Sequence, residues 1–243
     1  MKRTERHHLK ENDIAEWLLG AKNWYEANSK TVGYLGIAVA LALAAVMGTM
    51  AYRQMNEGKA SSALAAALAV AEAPVLPPAP AEAGKPPVQR PGTYPTDRAR
   101  LEAALPKLLA VADAYPDSDA GIMARYRAAA ALVAVGRTQD GAARYKEVVD
   151  RGKGAYPVMA RLGIAEAHLV AGQFDQAIAS FKEVEALKSD DVPVDGVLMQ
   201  LARAYQLAGK SEDAKKAFKR VVDEFPQSPY APAARRELEG AGA

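Results

Sequence analysis

The chain has 243 residues, 50% of them apolar and 25% charged, which provides for one or two packed domains. The formal net charge is +2, and from Thr96 onward 21 Lys and Arg balance 21 Asp and Glu, so no basic field marks a nucleic-acid binder. Cysteine is absent, which excludes a disulfide framework and thiolate metal sites and permits an oxidising compartment.

Residues 1–31 read as a cytoplasmic segment carrying an amphipathic helix. Ile14, Trp17, Leu18, Ala21, Trp24 and Tyr25 recur at helical spacing, with Glu16, Lys22, Asn23 and Glu26 between them. Tryptophan and tyrosine suit a membrane–water interface, and the same face would also serve a cytoplasmic partner. His7 and His8 precede it as a bare pair, which by itself does not make a metal site.

Residues 32–52 form a run of 21 positions without a formal charge, between Lys30 and Arg53. As a helix the run spans about 31 Å, against a bilayer core of about 30 Å. A buried core helix is the alternative. A cleaved signal peptide is disfavoured by the thirty residues ahead of the run and by its length. Six Lys or Arg lie in positions 1–30 and two, Arg53 and Lys59, in the twenty residues after Tyr52. Basic residues favour the cytoplasmic side, so the N-terminus is expected inside and everything after Tyr52 outside, which in a bacterium means the periplasm. Gly36, Ala40, Ala44 and Gly48 recur every four residues. They form either a stripe for close approach of another helix in lipid or a chance pattern in an alanine-rich segment.

Residues 53–73 continue with good helix formers and read as a helix leaving the membrane. Residues 74–95 hold eight of the fifteen prolines, with Gly84 and Gly92, and read as an extended or disordered linker. Its use is either as a spacer or as a ligand for proline-recognition domains.

Residues 96–243 repeat. Gly136, Gly172 and Gly209 lie 36 and 37 residues apart. Each is followed at fixed offsets by a small residue (Gly141, Ala177, Ala214), an aromatic (Tyr145, Phe181, Phe218) and a valine (Val148, Val184, Val221). Glycine suits a helix C-terminus that needs a left-handed residue. The small residue lets two helices touch, and the aromatic and valine share one helical face and build a core. Tyr115-Pro-Asp-Ser118 and Phe225-Pro-Gln-Ser228 lie 110 residues apart, three repeat lengths, and each combines a helix stop with a capping serine. The segment from Thr96 to Tyr115 is then the second helix of an earlier pair. The post-membrane helix is its candidate partner across the proline segment.

This pattern over residues 120–228 resembles tetratricopeptide repeats, and the expected fold is all-α: one transmembrane helix followed by a tetratricopeptide-like helical solenoid. The whole layout resembles the YfgM-like family of bacterial inner-membrane proteins, with a short cytoplasmic start, one anchor and an external repeat domain. That resemblance implies an ancillary role at the Sec translocon, linked to periplasmic chaperones. The long proline insertion departs from the family pattern. The Tyr-Pro-Asp-Ser marks also resemble CpoB and the assembly lipoprotein BamD. Neither of those keeps an uncleaved anchor, and BamD needs a lipobox cysteine absent here. A CpoB-like envelope organiser acting with cell-wall or division machinery is the alternative function.

No His-Glu-x-x-His, phosphate loop or EF-hand spacing occurs. His168, four residues before Gly172, takes the place of Tyr205 before Gly209 and reads as a packing residue. No enzyme activity, cofactor or metal is expected. The partners are proteins: the translocon, periplasmic chaperones or exported chains.

The first helix of each tetratricopeptide pair lines a concave surface. Here those helices are expected over Ile122–Val135, Val158–Ala171 and Asp195–Ala208. Offsets from the turn glycines pick out Met123 and Tyr126, Met159 and Glu166, and Met199, Arg203 and Gln206 as groove residues. The three methionines either give an adaptable apolar surface or fill gaps between helices. Glu166 and Arg203 either orient a bound chain or pair with each other.

Overall fold

A computed structural model describes residues 3–79 and 89–240, with side chains from Glu16 onward. The middle of the proline-rich segment (80–88, with Gly84), the side chains of His7, His8 and Ile14, and Ala243 lie outside the described residues. Among the described residues there are nine helices and one isolated bridge, and no strand is longer than that bridge. The protein is all-α.

Helix α1 (Arg3–Ala71) is broken once, at Asn28, where φ is −114° and ψ is 17°. The Asn28 side-chain amide donates to the Trp24 carbonyl at 2.9 Å, a local bond that competes with the helical ladder. Two compact units divide the chain between Met55 and Asn56. In the first, Trp17, Trp24 and Tyr34 are exposed, and α1 is long and apolar enough to cross a membrane. Gly36, Ala40, Ala44 and Gly48 are all exposed, and a methyl group added at Gly36 or Gly48 would meet nothing within 4 Å.

The second unit contains the last turns of α1 and α2 (Asp97–Ala114), α3 (Asp119–Ala134), α4 (Thr138–Arg151), α5 (Tyr156–Val170), α6 (Phe174–Ala186), α7 (Val194–Leu207), α8 (Ser211–Glu224) and α9 (Ala231–Gly240). The pairs α3/α4, α5/α6 and α7/α8 close through the same turn. Gly136, Gly172 and Gly209 have φ of 89°, 73° and 72°, a conformation open to glycine. The amide of the next residue, Arg137, Gln173 or Lys210, donates back to Leu132, His168 or Tyr205 at 2.8–2.9 Å. This is the glycine-terminated helix end that satisfies carbonyls left over in the last turn. The small residues, aromatics and valines of the three repeats are all buried.

The first pair is built differently. Ala60, Leu64 and Ala67 of α1 join Leu105, Leu108 and Val111 of α2 in one core cluster with α3, so residues 56–71 form the first helix of an additional pair. The segment read as leaving the membrane is thus a repeat helix, and residues 72–96 replace the glycine turn. The described ends of this segment meet each other: Val75 bridges Tyr94, with the Leu76 amide donating to Tyr94 O at 2.9 Å and the Tyr94 amide to Pro74 O at 3.0 Å. The proline-rich stretch is therefore an insertion within the first repeat, closed at its base, rather than a spacer ahead of the repeats. Glu57 strengthens this pair by accepting from the Asp119 and Ala120 amides at 3.2 and 3.0 Å, capping α3 from 62 residues away.

The Pro-containing marks share one backbone. Tyr115 and Phe225 end α2 and α8 with φ of −130° and ψ near 57°. Ser118 then caps α3 through the Gly121 amide at 2.9 Å. Gly121 fits because a methyl there would collide with the Tyr115 carbonyl. The cap moves the start of α3 three residues ahead of the expected Ile122.

Candidate protein-binding surface

Consecutive first helices α3 and α5 lie side by side. Of the residues singled out from sequence, Met123, Tyr126, Met159 and Glu166 are half-buried, Met199 is buried at 7% exposure, and Arg203 and Gln206 are exposed. Met123 packs against the α1–α3 cluster, and Met159 and Met199 against the C-terminal core. Of the two alternatives for the methionines, this packing favours gap-filling: Met199 is buried, and Met123 and Met159 are half-buried against the helix clusters. Gln206 donates to Glu237 of α9 at 2.9 Å. Among the described residues Glu166 and Arg203 form no ion pair with each other, and neither has another side-chain hydrogen-bond partner.

The exposed apolar residues on these helices are others. Val170 and Leu207 are 62% and 57% exposed, and each stands two residues before a turn glycine. Ala134 holds the equivalent place in α3 and is also exposed. Their shared offset was readable in the sequence, but offset alone does not say whether the neighbouring repeat covers the position.

At the α3–α5 junction, three tyrosines from three helices converge. The Tyr126 ring stands edge-on to Tyr145 (centroids 5.4 Å, 65°) and to Tyr156 (6.0 Å, 66°). Such edge-to-face pairs are favourable through the ring quadrupoles. Tyr145 is buried because Gly163 of α5 has no side chain: an added methyl would penetrate the Tyr145 ring. Burial pushes all three phenols above their ordinary range, and the Glu166 charge raises Tyr126 and Tyr145 further. Glu166 itself is pushed up by burial, with no cation acting to offset it. Arg127, beside Tyr126 and Tyr156, lies 3.9 Å from Glu72 instead. Tyr145 and Tyr156 were absent from the groove set read from sequence, because their convergence depends on helix packing across the Gly163 contact.

A second charged group is buried nearby and held mainly through its two terminal nitrogens. Arg125 is 2% exposed, donates to the Ala112 and Pro116 carbonyls at 2.6 and 3.2 Å, and its Nε stands 2.9 Å from Glu147 Oε2, an ion pair outside hydrogen-bond geometry. It ties α3 to the end of α2 and to α4, a structural role. His168 pairs its Nδ1 with Gln173 Oε1 at 2.7 Å across the α5–α6 turn. Among the described residues no group of three or more His, Asp or Glu is placed to hold a metal ion.

A family model described as tetratricopeptide repeat-like domain matches residues 22–228. The chain belongs to the tetratricopeptide repeat-like family. The crystal structure of nearly identical TPR-like repeats from a Podosopora anserina protein assigned as a kinesin light chain is 20% identical, covers 58% of this chain and 77% of that one, and superposes with a TM-score of 0.50. A single-substitution variant of that protein gives 19% identity, the same coverages and the same TM-score. The crystal structure of MamA is 15% identical over 58% of this chain and 86% of that chain, with a TM-score of 0.45. At these identities the likeness is one of fold. No curated protein matches. Tetratricopeptide repeats make this chain a protein–protein interaction scaffold.

Proposed function

We propose that the protein is a single-pass, membrane-anchored interaction scaffold of the bacterial inner membrane, with its N-terminus cytoplasmic and its repeats periplasmic. In this reading it assists protein translocation or periplasmic protein assembly, in the manner of the YfgM-like family it resembles. The observation that carries the reading lies in α1. One helix contains both the 21-residue charge-free run and, in its last turns, the first helix of the repeat array. No glycine- or proline-rich stretch lies between Tyr52 and Asn56, where the repeat unit begins. The family match, which takes in the apolar run along with the repeats, supports the same layout. The excess of Lys and Arg ahead of the run supports the orientation.

Crosslinking in native membranes followed by mass spectrometry tests the proposal. Recovery of translocon subunits, periplasmic chaperones or exported chains is the expected result. Recovery of cell-wall or division proteins would move the assignment to the CpoB-like envelope organiser. Absence of any protein crosslink to residues beyond Asn56 would remove the scaffold reading.

A further inference from the structure

We infer that Glu166 and the tyrosines around it form a subsite for one basic side chain, lysine or arginine, of an extended polypeptide lying along the α3–α5 surface. The inference rests on the scaffold reading and specifies its ligand chemistry. Glu166 is half-buried in α5, and no Lys, Arg or His among the described residues pairs with it. A carboxylate taken partly out of water without a counter-charge destabilises the folded chain. A ligand cation arriving at that carboxylate would make a charge-assisted hydrogen bond in a partly desolvated place, where such bonds are strong.

The surroundings favour a cation over other guests. Glu166 lies three residues beyond Gly163 on the same side of α5, Gly163 faces the Tyr145 ring, and Tyr126 stands edge-on to Tyr145 and Tyr156. A half-buried tyrosine offers an electron-rich ring face and a phenol oxygen, both attractive to an ammonium or guanidinium. The same molecule contains a satisfied example: the Lys182 ammonium lies 5.6 Å from the Tyr205 ring centroid. Arg127, next in sequence to Tyr126, lies 3.9 Å from Glu72 and forms no ion pair with Glu166. In the repeat alignment Glu166 falls between Ala130 and Arg203, at spacings of 36 and 37 residues, so this row of the surface carries an acid only at its centre. The exposed apolar side chain of Val170, one helical turn further along α5, provides an adjoining contact for the aliphatic part of the same ligand.

The test uses the full chain in a neutral detergent and three fluorescein-labelled nonapeptides of alanine and leucine that differ only in the central residue: lysine, norleucine or glutamate. Anisotropy titrations should show the lysine peptide binding about tenfold or more tightly than the norleucine peptide, the gain expected of one charge-assisted contact. Glu166→Gln should bring the lysine peptide to the affinity of the norleucine peptide and leave the latter unchanged. Glu166→Lys should transfer the preference to the glutamate peptide. Equal affinities for lysine and norleucine, no binding of any peptide, or a lysine preference that survives Glu166→Gln each overturn the subsite. Partner crosslinks that persist beside such a result would leave the scaffold reading standing. A lysine preference without any crosslinks would retain the subsite and remove the scaffold assignment.

Discussion

Tyr145 and Phe181 occupy the same place in consecutive repeats, nine residues past the turn glycine, yet their surroundings differ. Phe181 is completely buried in a cluster with Leu198, Leu201 and Phe218. Several charges around that C-terminal part are paired: Lys210 with Asp175 at 2.7 Å, and Arg220 with Glu185 at 2.6 Å and Glu224 at 2.7 Å, while Arg203, unpaired among the described residues, is exposed to water. The Arg220 hydrogen bond holds the Glu224 carboxyl below its ordinary range. Tyr145 instead sits in a smaller cluster with Ile122, Ala129 and Val148, edge-on to the half-buried Tyr126 and against Gly163, three residues before the unpaired Glu166. One repeat pattern thus supports a region optimised for packing and a region with unsatisfied polar character. The second is where binding chemistry has room to act, because groups that the fold leaves unpartnered can gain most from a ligand.

The largest expected effect lies in the packed region. Phe181→Ala should destabilise the protein by about 3–5 kcal/mol in urea unfolding, the range for removing a fully buried ring. A change below about 1 kcal/mol would show that the C-terminal cluster is not the stability centre of the array. The next effect probes the tyrosine junction through a pair of glycines. Gly163→Ala drives a methyl into the Tyr145 ring, where Cε1 and Cε2 lie 2.7 and 2.6 Å from the ideal Cβ. After the gain in helix propensity is offset, it should destabilise by about 1–2 kcal/mol. Gly58→Ala places the same methyl in open space within α1 and should stabilise by about 0.5–1 kcal/mol. Equal responses at the two positions would dissolve the distinction between a close helix contact and an open helix surface.

The repeats were legible because their signal is local. A left-handed turn requires glycine at 136, 172 and 209, and a helical face then fixes where Ala177, Phe181 and Val184 must point. The pairing of the post-membrane helix with α2 was legible from the count of repeat lengths. What sequence did not show depends on contacts between distant segments. Glu57 caps α3 from 62 residues away. Arg125 is buried although arginine is seldom so, because two carbonyls and Glu147 converge on it. The proline-rich segment carries a linker's composition, and the bridge of Val75 to Tyr94 that closes its base was not legible, because it joins residues 19 apart. Of the groove residues picked by offset, Glu166 and Tyr126 are half-buried whereas Met199 is buried, because an offset does not report burial.

The smallest effect tests the contrast most directly, because its sign and its pH dependence are both fixed by the account. Burial raises the Glu166 carboxyl above its unfolded value, so the folded chain holds that proton more tightly than the unfolded chain. Stability from this group is therefore lost as pH rises from the ordinary carboxylate range through the folded value. Tyr126 and Tyr145, the facing titratable groups, stay protonated throughout this window, since their phenols are raised. Urea unfolding of the full chain and of Glu166→Gln should be compared at pH 7 and again below the ordinary carboxylate range. The account predicts that the variant is the more stable protein at pH 7 and that its advantage disappears at the lower pH. A variant less stable than the parent at pH 7 would show that Glu166 is a satisfied structural residue and would contradict the assignment of this surface to binding.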